Sequence, residues 1–174
     1  LRTLVGEKDG VYLYQNNYVL PLGFMIPDDL EKRWDFRDTT AIYAQNMLAK
    51  ELGAEENLLE PLLTQKKEGE NVITVPESGY IYVNYYDNAA NTIYADMDGK
   101  RRTYTKCSHM YLLDIGWCEA GTTIYLSSPE VEKLSFQAYR LNLNSLNQAY
   151  GTLQEQKFVV DSFSDTKVTG HINV

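Results

Sequence analysis

The stretch NVITVPESGYIYVNYYDN, Asn71 to Asn88, decides the fold class of this chain. Two runs with the alternating period of extended strands flank a Pro-Glu-Ser-Gly turn. In the second run Ile81, Val83 and Tyr85 fall on one side. Tyr80, Tyr82 and Tyr86 fall on the other, with Asn84 among them. This is a strand with an apolar face for a core and an aromatic face for something else. The same pattern continues downstream. TIYADMDGKRRTYT reads as a hairpin with Asp98 and Gly99 at its tip. MYLLDIG and TTIYLSS read as a strand pair about the turn WCEAG, and KLSFQAYRL as one more strand. KFVVDSF and KVTGHINV close the chain as two strands around Ser164 and Asp165. Turn signals this regular, about every 8–12 residues, point to a sandwich.

Upstream the signals are mixed. GVYLY has strand period, and Asn16–Asn17 suggests a turn before YVLPLGFMI. That uncharged run reads as a buried but bent edge strand, because Pro21 removes a ladder donor and Gly23 permits a bulge. DTTAIYAQNMLAKELG is the clearest helix, with cap candidates at Asp38, Thr39 and Thr40 and Gly53 placed to end it. Ala41, Ala44, Met47, Leu48 and Leu52 follow at helical spacing. EENLLEPLLTQ suggests one more short turn, and KKEGEN a solvated connection. NSLNQAYGTLQ reads as a short helix capped by Asn144, with Leu146, Ala149, Tyr150 and Leu153 on one face. The expected fold is therefore mainly β: an antiparallel jelly-roll-like β-sandwich with two short helices. Residues 1–70 supply a strand pair and a helix packed onto a sandwich of residues 71–174, as one compact unit.

Composition sets bounds on function. The 174 residues are 44% hydrophobic and 23% charged, enough for a real core and against disorder. The net charge of −8 argues against nucleic acid and against docking on an anionic bilayer. The one basic cluster, Lys100, Arg101, Arg102 and Lys106, follows a turn and reads as the guard of an edge strand. Cys107 and Cys118 would need a hairpin between them to bridge, whereas MYLLDIG reads as one strand, so free thiols are expected. No run of about 18 apolar residues is present. No secretory signal is visible, and the abrupt ends suggest a piece of a longer protein.

Catalytic chemistry finds no constellation. Asp28, Asp29, Asp35 and Asp38 cluster and Asp96 and Asp98 stand two apart, as happens by chance among 24 acidic residues; Asp28 and Asp29 suit a turn or cap after Pro27, and Asp38 a helix cap. His109 and His171 are the only histidines and lie far apart, with no metal-ligand spacing; Asp96, Asp98 and carbonyls are the one set that suits calcium, without the twelve-residue hand loop, and the expected metal and cofactor are none. No Gly-x-Ser-x-Gly motif is present. What remains is aromatic surface. Tyrosine is abundant at 14 residues, and Tyr80, Tyr82, Tyr86 and Trp117 are the candidates for stacking on a glycan. The competing reading is that the tyrosines pack between sheet and helix. Trp34 is the other tryptophan near a turn.

Two resemblances add to this. NNYVLPLGFMIPDDL, then WDF, AIYAQNML and LG, resembles the YfhO family of bacterial membrane proteins. GYIYVNYYD, DGK, LLDIGWCEAGTTIYL, FQAYRLNLNSLNQAYGTL and KVTGHI follow in that family's order. The resemblance implies a polytopic protein with a bundle of the lipid-linked sugar transferase type and a large extracytoplasmic region. Some members of the family are implicated in glycosylating cell-wall polymers such as lipoteichoic acid, with an undecaprenyl-phosphate sugar as donor. It further implies that this chain is part of that region, on the outer side of the plasma membrane. Its partners would be its own transmembrane bundle, absent from this chain, and a cell-wall glycopolymer. The chain lacks the loop that carries the transferases' catalytic carboxylates, so no catalytic residue carries over. The second, local resemblance runs from ITVPESGYIYVNYYD to EAGTTIYL and is similar to galactose-binding-like jelly-roll modules. The resulting expectation is a non-catalytic domain that recognises glycan, or alternatively a structural domain that packs on its bundle or a partner protein.

Overall fold

A computed structural model describes residues 1–34, 36–37, 39–62, 71–109 and 112–172. The expectations for Asp35, Asp38 and the Lys66–Glu70 part of the connection fall outside these residues.

Eight strands build an antiparallel β-sandwich. They are β3 (Leu59–Pro61), β4 (Val72–Thr74), β5 (Gly79–Tyr85), β6 (Thr92–Met97), β7 (Lys100–Thr105), β8 (Leu112–Cys118), β9 (Thr123–Ser127) and β10 (Phe136–Leu141). One sheet has the order β3-β10-β5-β8, and the other β4-β9-β6-β7. Six of the seven connections cross between sheets, and only the β6–β7 hairpin stays within one. This is the strand order of a jelly roll. The sequence reading sets two strands about the 76–79 turn, and pairs β8 with β9 about the turn WCEAG. In the structure both turns carry the chain to the opposite sheet instead. A local alternation sets which face is apolar but not which neighbour a strand takes. The two crossing turns lie against each other: Val75 N–H donates to Thr122 O at 2.9 Å, and Gly121 N–H to Val75 O at 2.8 Å.

The core fills the space between the sheets. Ile73, Ile81, Ile93, Leu113, Ile115 and Ile124 have essentially no exposure, and each contributes about 1.5–3 kcal/mol by leaving water. Tyr85 also points inward and satisfies its hydroxyl by donating to Cys107 O. Cys107 and Cys118 are buried and unbridged. In the β6–β7 hairpin, Asp98 (φ 50°) and Gly99 (φ 71°) form the expected tip. The basic β7 is an edge strand.

Helices cover part of the first sheet's outer face. α1 (Leu30–Arg33) is one turn. α2 (Ala41–Glu51) is capped by Thr40, whose hydroxyl accepts from Tyr43 N–H. α3 (Leu143–Glu155) is capped by Asn142, two residues before the expected Asn144. α2 buries Ile42 and Ala49; of the expected residues Leu52 is buried just past its end, while Ala41, Ala44, Met47 and Leu48 are half-buried. The segment expected as a helical turn before Pro61 is instead β3. Its Leu59 N–H and C=O are both taken by the Asn46 side chain of α2, at 2.8 and 3.1 Å. That pairing satisfies a sheet edge which would otherwise be bare.

Two further hairpins lie outside the sandwich's sheets: β1 (Arg2–Lys8) with β2 (Val11–Asn16), and β11 (Phe158–Ser164) with β12 (Lys167–Ile172). Between β2 and α1 the expected buried strand is absent. Tyr18 to Pro27 is irregular apart from one bridge between Phe24 and Lys157. Val19, Leu20 and Leu22 are more than half exposed. Pro21, Gly23 and Pro27 deny the segment a continuous ladder. Its backbone attaches to α3 instead: Val19 O accepts from Tyr150 Oη at 2.9 Å and from Gln154 Nε2 at 3.0 Å.

Candidate functional site

The aromatic face of β5 forms as its alternation requires, but its members separate into different surroundings. Tyr80 and Tyr82 are half-buried on the outer face of the first sheet. There they pack with Leu1, Ile42, Leu59 and Tyr139. Tyr82 lies opposite Asp114 and Tyr139. Burial first, then the charges of Asp114 and Tyr80, push its phenol upward. Tyr86 is exposed at the other end of the strand, beside Tyr139. Burial and Tyr86 push the Tyr139 phenol up to about 12. Tyr80 and Trp117 meet ring to ring, edge to face with centroids 5.2 Å apart.

Trp117 is not in a turn. It lies in β8 and faces outward because of a bulge. Tyr82 pairs with Asp114 and Ile81 with Gly116, which leaves Ile115 as an extra residue. Strict alternation would otherwise turn position 117 inward, since Leu113 and Ile115 are both buried. Gly116 adopts φ +86°, which an L side chain takes only under strain. The carbonyls of the bulge are met from across the sandwich: Arg102 donates to Ile115 O, and Tyr104 Oη donates to Asp114 O at 2.7 Å. Trp117 is 49% exposed. Its Nε1 donates to Glu119 at 2.8 Å, and Glu119 also accepts from Ser78 at 2.8 Å. These hydrogen bonds hold the Glu119 carboxyl below its usual range.

The Tyr80–Trp117 pair walls a cleft of about 380 Å³, whose other sides include Glu56, Glu60, Arg140 and Asn142. The volume falls in the range of about 300–1,000 Å³ usual for small-molecule sites. Arg140 pairs with Glu77, and with Glu60 at 3.3 Å. Its stem passes over Gly79, where a Cβ would come within 3.0 Å of it. Asn142 has two roles. Its Oδ1 caps α3 by accepting from Ser145 N–H at 3.1 Å. Its Nδ2 gathers the two carboxylates, at 2.9 Å from Glu56 and 2.7 Å from Glu60. The cleft thus offers a fixed half-exposed indole beside carboxylates, an amide and a guanidinium. Rings of this kind stack on apolar faces of sugars, while carboxylates and amides bond hydroxyls.

Sequence reading misses Glu56, Glu60, Arg140 and Asn142, because 80 or so residues of jelly-roll path separate the first pair from the second. The capping pattern at Asn142 to Ser145 is the one local signal. Trp34, the other tryptophan, docks on α2 by donating to Ala44 O at 2.8 Å. Asp96 is engaged by Arg101, which lowers its carboxyl, and so serves an edge hairpin. Among the described residues no group of three or more His, Cys, Asp or Glu could hold a metal ion, and no helix is long and apolar enough to cross a membrane. Comparison of the chain with protein-family models, with curated proteins and with solved structures finds no match.

Proposed function

We propose that this chain is a non-catalytic, extracytoplasmic glycan-recognition module of a YfhO-like membrane protein, one that positions a cell-envelope polymer for glycosylation. The observation that carries the recognition step is the pre-set indole of Trp117 beside Tyr80 in a carboxylate and amide cleft. The membrane-protein context rests on the sequence resemblance alone. Calorimetric titration with a panel of neutral oligosaccharides tests the reading. Saturable binding is expected, weakened at least about tenfold by Trp117→Ala, in line with loss of an aromatic stacking contact. Turnover of any glycan in the panel would overturn the non-catalytic part.

A second reading has its own observation. Exposed apolar side chains concentrate in the β1–β2 hairpin, in Val19 to Ile26 and in the β11–β12 hairpin. Surfaces of that kind serve contacts between proteins. On this reading the chain is a structural domain that packs on its membrane bundle or a partner. Flat titrations across the whole glycan panel would favour it.

A further inference from the structure

The charge around the Trp117 cleft is one-sided. Glu56 and Glu60 line it, Glu77 touches the Arg140 that lines it, and Glu119 holds the indole. Among the described residues the lining itself sets Glu56 and Glu60 against Arg140, while Glu77 and Glu119 stand just outside it. The Leu1 ammonium donates to Tyr80 Oη at 2.8 Å but does not line the cleft. An anionic ligand would meet excess like charge here. A cationic one would meet both the carboxylates and the negative face of a half-exposed indole.

From this we infer that the cleft selects saccharides that carry a free amine over their N-acetylated, neutral or phosphate-bearing counterparts. The inference rests on the glycan-recognition reading above and sharpens it. The amine would sit between the Trp117 ring and the Glu56–Glu60 pair, with the sugar ring along the Tyr80–Trp117 wall. Asn142 spends both Nδ2 bonds on those two carboxylates and Arg140 meets the other oxygen of Glu60, so an amine would bond chiefly through the open lone pairs of Glu56.

The test is a matched titration with glucosamine oligomers, N-acetylglucosamine oligomers and glycerol-phosphate oligomers of equal length. At low salt the amine form should bind about tenfold tighter than the acetylated form. The gap should shrink to within about twofold at about 0.5 M salt, where screening is strong. Trp117→Ala should weaken amine binding about tenfold or more. Glu56→Gln should narrow the gap between amine and acetyl ligands several-fold. Glu60→Gln should do the same, but it also loosens Arg140, so Glu56→Gln carries the test independently. Equal affinity for amine and acetyl forms, with Trp117 still required, overturns the inference and leaves glycan recognition standing. Tightest binding of the glycerol-phosphate form overturns the inference as well, and gives no support to recognition of a sugar. Amine binding that ignores both Trp117→Ala and Glu56→Gln is attraction to the −8 chain as a whole, and it also overturns the inference. Absence of binding by all three ligands defeats both readings.

Discussion

At the scale of single residues, the site depends on Gly116. Its φ of +86° lets β8 carry an extra residue and return Trp117 to the outer face. A Cβ there would adopt a strained backbone and come within 3.1 Å of Arg102 Nη1. Gly116→Ala should therefore cost about 1–2 kcal/mol in denaturant unfolding and shift Trp117 emission, whereas an unchanged midpoint would contradict the bulge account. Cys107 and Cys118 are buried, and burial pushes both thiols upward. Both should resist a thiol reagent in the native state and react fully once unfolded. Rapid native labelling would show that the core opens. Trp117 was legible in the sequence as an exposed aromatic, but as part of a turn that begins only after β8 ends at Cys118. The informative neighbour was the glycine inside an apolar strand, which commonly marks a bulge. The polar half of the cleft was not legible, because nothing in the sequence joins Glu60 to Arg140 until the jelly roll pairs their strands.

Among the elements, β3 and the Tyr18–Pro27 segment best show the limits of local pattern. Both departed from their expected structure because of partners remote in sequence. β3 exists as a strand because β10 pairs with it on one edge and Asn46 satisfies Leu59 on the other. Asn46→Ala should leave that buried amide and carbonyl unmet and cost about 1–3 kcal/mol, measurable by thermal or chemical unfolding. A neutral substitution would mean that α2 docks through its apolar contacts alone, among them Ile42, Leu48 and Ala49. The Tyr18–Pro27 segment has the composition of a buried strand, yet its prolines send it along α3 with its apolar side chains outward. The elements with complete local chemistry were legible. α2 has Thr40 and Gly53 at its ends, and the β6–β7 hairpin has Asp98–Gly99 at its tip.

For the whole molecule, the alternation beginning at Asn71 was enough to establish a mainly β sandwich, because two apolar faces must cover each other. The crossing of chain between sheets was not, since pairing is decided by the whole set of strands. Electrostatics also act at this scale. Asp96, Glu119 and Glu130 all have carboxyls lowered by hydrogen bonds in the folded state. Such groups favour folding while ionised. Their contribution is complete above the ordinary carboxylate values of about 3.9–4.3 and is lost as pH falls through the lower folded values. Tyr82, Tyr104 and Tyr139 are raised, chiefly by burial. Their contribution is complete below the ordinary phenol value of about 10 and is lost as pH rises toward the Tyr139 value of about 12. Stability should thus be level across neutral pH and fall at both extremes, and an unfolding midpoint still level at about pH 3 would contradict the acid limb. The central claim is that the Trp117 cleft holds glycan. Its most direct test is a glycan titration followed through the two indole N–H resonances of the labelled protein, assigned with Trp117→Phe. The account predicts a saturable shift of the Trp117 signal while the Trp34 signal stays in place. An unmoved Trp117 resonance at saturating glycan would contradict it.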